Sequence, residues 1–78
     1  MKILDKIIQI IIENIETEIA ISATTDLHHD LDLDSFDVLM IMNEIDDTYG
    51  ISLTDDDFAK VKNPSEIVSL LTEKYQIK

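Results

Sequence analysis

An all-α fold is what this sequence predicts: a small irregular four-helix bundle, three main helices plus one short helix, with a long first loop. Three observations point there. Apolar residues recur at the i, i+3, i+4 spacing of a helix face in well-separated segments. The single Gly and the single Pro stand where one helix should stop and another start. With 78 residues, 45% of them hydrophobic, there is room for one core, so one domain over residues 1–78 is expected.

The first helix is expected from Lys2 to about Glu16. Leu4, Ile7, Ile8, Ile11 and Ile15 fall on one face, and Ile3, Ile10 and Ile12 widen that stripe, as packing on more than one side requires. So much β-branched Ile would also suit a strand, but the length and the positions of Glu13 and Glu16 favour helix. Thr17 to Leu33 is then a long connection for so small a chain. Ser22, Thr24, Thr25 and Asp26 are turn and cap formers, and Ile19, Ile21, Leu27, Leu31 and Leu33 are apolar pins. It reads as an ordered crossover with one helical turn near Leu27–Asp30.

The second helix is expected from Ser35 to Tyr49, with Asp34 as N-cap and Gly50 as the stop. Val38, Leu39, Ile41, Met42, Ile45 and Tyr49 are assigned to its buried face. Phe36, Met40, Asn43, Glu44 and Asp47 fall opposite. Two of those five are apolar where water is expected, either as ordinary scatter or as a contact patch beside Ser35. Ile51 and Leu53 return to the core. Thr54 and the acids Asp55 to Asp57 start a short helix ending near Ala59. Asn63 and Pro64 open the last helix, whose inward face is Ile67, Leu70, Leu71 and Tyr75.

Charge narrows the function. Seventeen acids face six lysines, giving −11, and no Lys or Arg falls between Ile7 and Ala59. Such a surface repels nucleic acid and anionic membranes and favours basic protein partners. With no Cys there is no disulfide, no thiolate metal site and no cysteine nucleophile, so any thiol chemistry must come from an attached group. Neither a secretory leader nor a membrane-spanning run is read, and a cytoplasmic monomer is expected.

The chemistry-bearing stretch is Asp30-Leu31-Asp32-Leu33-Asp34-Ser35-Phe36-Asp37. It places the Ser35 hydroxyl at a helix start, where unpaired backbone N–H groups and the macrodipole favour a phosphate. On propensity alone a plain helix-start serine, sharing the capping role with Asp34, is the better explanation. A catalytic serine lacks a G-x-S-x-G elbow and a Gly-lined oxyanion loop. A calcium loop starting at Asp30 would need Gly where Ser35 stands and Glu where Ile41 stands, so no specific metal site is expected. His28 and His29 lack a third nitrogen or thiolate ligand and read as solvated, pairing with Asp26 or Asp30.

This stretch resembles the D-L-G-x-D-S-L-D signature of acyl carrier proteins and the related peptidyl carrier domains. The likeness continues through Thr25-Asp26-Leu27, Asp46-Asp47-Thr48-Tyr49-Gly50-Ile51, Asp55-Asp56-Asp57-Phe58 and the helix from Pro64 to Leu71. The resemblance implies that Ser35 receives 4′-phosphopantetheine from coenzyme A through a phosphopantetheinyl transferase, and that acyl groups ride on that arm as thioesters. It implies a carrier, not an enzyme, with Asp34, Phe36 and Asp37 flanking the site. It further implies that acyl-processing enzymes dock through basic patches on Asp37, Met40, Glu44, Asp46 and Asp47, and that the bundle core receives the acyl chain. Asp32 stands where the signature has Gly, Phe36 where it has Leu, and Met40 where an acid is common. Asp32 is expected to resist a left-handed turn, and Phe36 and Met40 to make the docking face more apolar. The rival from another class is an acidic interaction protein without a prosthetic group, either a nucleic-acid mimic or a divalent-ion binder.

Overall fold

A computed structural model describes residues 2–15 and 20–78. Four helices follow one another: α1 (Ile3–Asn14), α2 (Ser35–Tyr49), α3 (Asp55–Lys60) and α4 (Pro64–Glu73), and no strand occurs among the described residues. α1 packs against both α2 and α4, while the pairings of α3 with its neighbours are slighter.

Ile7, Ile10 and Ile11 of α1 are buried against Ile41, Met42 and Ile45 of α2, Phe58 of α3, and Ile67 and Leu71 of α4. Leu27 and Leu31 close the core from the long loop. Burying each such side chain stabilises the fold by about 1.5–3 kcal/mol, which is why aliphatic residues suffice with so few aromatics. Ile10, expected only to widen the stripe, is fully buried, and Ile12 is exposed instead.

α1 ends at Asn14, two residues before the expected limit at Glu16, which lies outside the described residues. The Asn14 side-chain amide donates to the Ile10 carbonyl (2.8 Å) and to Glu44 Oε1 on α2 (2.8 Å). It thereby satisfies a carbonyl of the last turn and fixes the crossing with α2.

The long loop is held by more than the expected apolar pins. Of those pins, Leu27 and Leu31 are buried, Ile21 and Leu33 partly so, and Ile19 lies outside the described residues. The anticipated turn forms, with the Asp30 N–H donating to the Asp26 carbonyl (2.9 Å). Asp26 caps it by accepting from the His28 and His29 N–H groups, which holds its carboxyl below the usual carboxylate range. Backbone bonds then tie the loop to the α3–α4 connection: Leu27 N–H to the Lys62 carbonyl (2.7 Å) and Ser65 N–H to the Ala23 carbonyl (3.0 Å). His28 joins this seam, its Nε2 lying 3.0 Å from the Val61 carbonyl and its ring edge-on to Phe58. His28 is exposed, as expected, but its ring reaches Val61 and tethers the loop, while only its backbone N–H pairs with Asp26.

The caps form where the sequence placed them. Asn63 accepts from the Glu66 N–H (2.9 Å), and Pro64 takes the first position of α4, where its missing N–H costs nothing. Thr54 and Asp57 exchange side-chain and backbone bonds across the first turn of α3. Gly50 adopts the left-handed conformation (φ 66°) after α2, its N–H returning to the Asp46 carbonyl. α4 stops at Glu73, so Tyr75 follows the helix and does not belong to its inward face.

Candidate functional site

Asp34 sets the site. Its side chain accepts from the Asp37 N–H (2.9 Å), while the Asp37 carboxylate accepts from the Asp34 N–H (3.3 Å), a reciprocal box that fixes the first turn of α2. Ser35 is the first helical residue and is exposed. With capping done by Asp34, the Ser35 hydroxyl has no hydrogen-bonding duty among the described residues. It stands at the positive end of a fifteen-residue helix, a position that favours a phosphate ester.

The approach to Ser35 is less strained than expected. Leu33 N–H donates to the Leu31 carbonyl (2.8 Å), a three-residue turn centred on Asp32. Positive φ occurs only at Gly50 and Gln76 among the described residues, so Asp32 does not take the left-handed conformation for which glycine would be needed. Its carboxylate is exposed instead.

Beside Ser35 opens a groove of about 520 Å³, lined by Leu33, Asp34, Ser35, Val38, Leu39, Met42 and Asp55. Four of these are aliphatic or thioether side chains, and the polar ones are Asp34 and Ser35 at the head of α2 and Asp55 on α3. Such a lining suits an alkyl chain whose polar end is fixed at Ser35. The exposed hydroxyl at the head of α2 and the adjoining apolar groove together fit a phosphopantetheine arm carrying an acyl group.

Leu39 was assigned to the core, yet it is 53% exposed. It forms the rim of the groove and joins Phe36, 66% exposed, and Met40 in one apolar strip on α2. The spacing of 36, 39 and 40 was the available signal, since residues three and four apart share a helix face. Asp55, which lines the groove from α3, had no sequence signal.

The proposed docking acids do not form one equivalent set. Glu44 is half-buried and accepts from Asn14, and Asp46 is half-buried and accepts from the Leu53 N–H (2.8 Å). Asp37 is part of the cap. Asp47 is exposed on the solvent side of α2.

A second carboxylate cluster went unread in the sequence. Asp57 is buried, and it accepts from Lys74 Nζ (2.6 Å) and from the Tyr75 hydroxyl, which also lies 3.0 Å from the Ser52 carbonyl. The Lys74 ammonium, then the Tyr75 hydroxyl, hold the Asp57 carboxyl far below its ordinary range. Reciprocally, Asp57 raises both Lys74 and Tyr75.

Comparison with known proteins agrees with this geometry. The family model described as "Phosphopantetheine attachment site" matches residues 5–71. The acyl carrier proteins of Rickettsia typhi and Rickettsia prowazekii are each 35% identical over 75 residues, covering 94% of this chain and 86% of the relative. A solved candidate acyl carrier protein of Mycobacterium tuberculosis shares the fold at a TM-score of 0.74, with 22% identity over 87% of this chain and 92% of that one. On sequence, fold and the placement of a serine at the head of α2, the chain belongs to the acyl carrier protein family, and as a member it is a carrier and not an enzyme.

Proposed function

We propose that the chain carries acyl intermediates as thioesters on 4′-phosphopantetheine esterified to Ser35, in fatty acid or related polyketide, peptide or lipid biosynthesis. The observation that carries this is the exposed Ser35 hydroxyl at the head of α2, relieved of capping by Asp34 and opening onto the apolar groove. When attached, the arm supplies the thiol that the cysteine-free chain lacks. The chain's own part is to present and to shield. The N-terminal end of α2 stabilises the phosphate charge. Leu33, Val38, Leu39 and Met42 offer apolar surface that removes an alkyl chain, and the ester next to it, from water. Phe36 and Met40 add an exposed apolar contact, with Asp47 beside it for a basic partner surface. The transferase and the acyl-processing enzymes are the partners this surface fits.

Because the chain has no Cys, any thiol found on it must belong to an attached group. Protein isolated from its own cells and treated with neutral hydroxylamine should release an acyl hydroxamate and expose one thiol per chain. Isolated protein that carries no thiol before or after treatment would contradict the carrier assignment.

A further inference from the structure

We infer that the Asp57–Lys74–Tyr75 cluster is a latch that holds α3 as the far wall of the Ser35 groove, so that the C-terminal segment sets how well the groove retains its cargo. What the groove holds rests on the carrier function proposed above; the latch itself rests on geometry.

α3 is the smallest helix, with six residues, and it enters the core through Phe58 while pairing only slightly with the other helices. Its first turn therefore depends on local ties. Asp55 lines the groove. Asp57 is two residues on, and residues two apart on a helix point to opposite sides. One side of this turn thus faces the groove and the other is gripped by the tail.

The grip is specific. Asp57 is nearly fully buried, receives Lys74 Nζ at 2.6 Å and the Tyr75 hydroxyl, and closes the capping box with Thr54. Lys74 Nζ also lies 5.3 Å from the centre of the Tyr75 ring, which keeps the two tail residues together. The Tyr75 hydroxyl also lies 3.0 Å from the Ser52 carbonyl, so the one O–H that grips Asp57 sits against the segment leading into α3. Lys74, Tyr75 and Asp57 are the charged or titratable groups meeting there, and none is needed to build Ser35's own surroundings. A buried carboxylate with two tail donors is costly to leave half-paired, so the arrangement closes or opens as a unit.

Two measurements on the full chain test this. In the first, Tyr75→Phe removes one oxygen and Lys74→Met removes one charge, and amide hydrogen exchange is compared with wild type. Exchange at residues 55–61 should quicken by about tenfold in each variant, while residues 41–45 of α2 stay unchanged. In the second, Ser35→Cys supplies the sole thiol. Its thiolate attacks the alkyl-bearing sulfur of octyl methanethiosulfonate, and methanesulfinate leaves, so an octyl chain is joined at position 35 through a disulfide. The octyl group should raise the melting temperature, and Tyr75→Phe should remove at least half of that rise. Unchanged exchange in α3, a uniform increase along the chain, no octyl-dependent rise, or an equal rise without the Tyr75 hydroxyl would each overturn the latch. None of these readings needs the transferase, whose failure to load Ser35 would instead refute the carrier function.

Discussion

Asp57 is the residue whose surroundings differ most from those of a surface acid. Its pKa in the folded protein is depressed, first by Lys74 and then by Tyr75. A depressed carboxylate contributes its stability above the unfolded value of 3.8 and loses that contribution as pH falls toward the folded value. Wild type should therefore lose urea stability more steeply than Asp57→Asn between about pH 5 and pH 2, even as acid relieves repulsion elsewhere in both proteins. Parallel curves would show that Asp57 is not a stabilising tie. Lys74 and Tyr75 are raised, so their side of the cluster persists to alkaline pH and fails only as their folded values are passed.

The sequence shows why some residues were readable and these were not. Asp34, Thr54 and Asn63 act on neighbours within three residues, and their pattern is visible in a short window. Asp57 meets partners 17 and 18 residues away, across a helix end that no Gly or Pro marks. There Gln76 takes the left-handed conformation (φ 57°) that normally advertises itself as Gly or Asn. Leu39 misled for another reason. A helix with apolar residues at 36, 38, 39, 40, 41 and 42 has no clean stripe, and which of them face outward depends on what packs against it.

At the level of elements, α2 was legible at both ends because each end carries its own signal. The C-terminal signal can be weighed. Gly50 sits at φ 66°, and an added Cβ there would meet nothing within 4 Å, so a substitution costs backbone strain alone. Gly50→Ala should lower stability by about 1 kcal/mol, and Gly50→Asn by less, with the urea slope unaltered. A cost above about 3 kcal/mol would mean that more than the left-handed turn is lost. The long loop was only half legible. Its apolar pins and its turn near Leu27–Asp30 can be read from residue types, whereas the pairing of Leu27 with Lys62 and of Ser65 with Ala23 uses backbone groups, which carry no residue code.

Across the whole molecule, charge is the organising feature. With −11 formal charges and the lysines confined to the two ends, close carboxylates repel one another in the folded state. Millimolar Mg²⁺ should raise the melting temperature more than NaCl of equal ionic strength, and an unchanged or lower value would count against that repulsion. The same field should steer partners. Asp47→Lys is the clean probe, because Asp37, Glu44 and Asp46 also hold the fold together. It should slow association with a basic partner enzyme, more at low salt than at high, and leave the melting temperature nearly unaltered. An association rate indifferent to both the substitution and the salt would place docking elsewhere than on α2.

Ser35 as the tethering point is the claim on which the rest depends. Intact-mass analysis after incubation with coenzyme A, Mg²⁺ and a broad-specificity phosphopantetheinyl transferase tests it most directly. Wild type should gain one phosphopantetheine, mapped by fragmentation to Ser35, and Ser35→Ala should gain none. No gain in wild type, or an equal gain in Ser35→Ala, would contradict it.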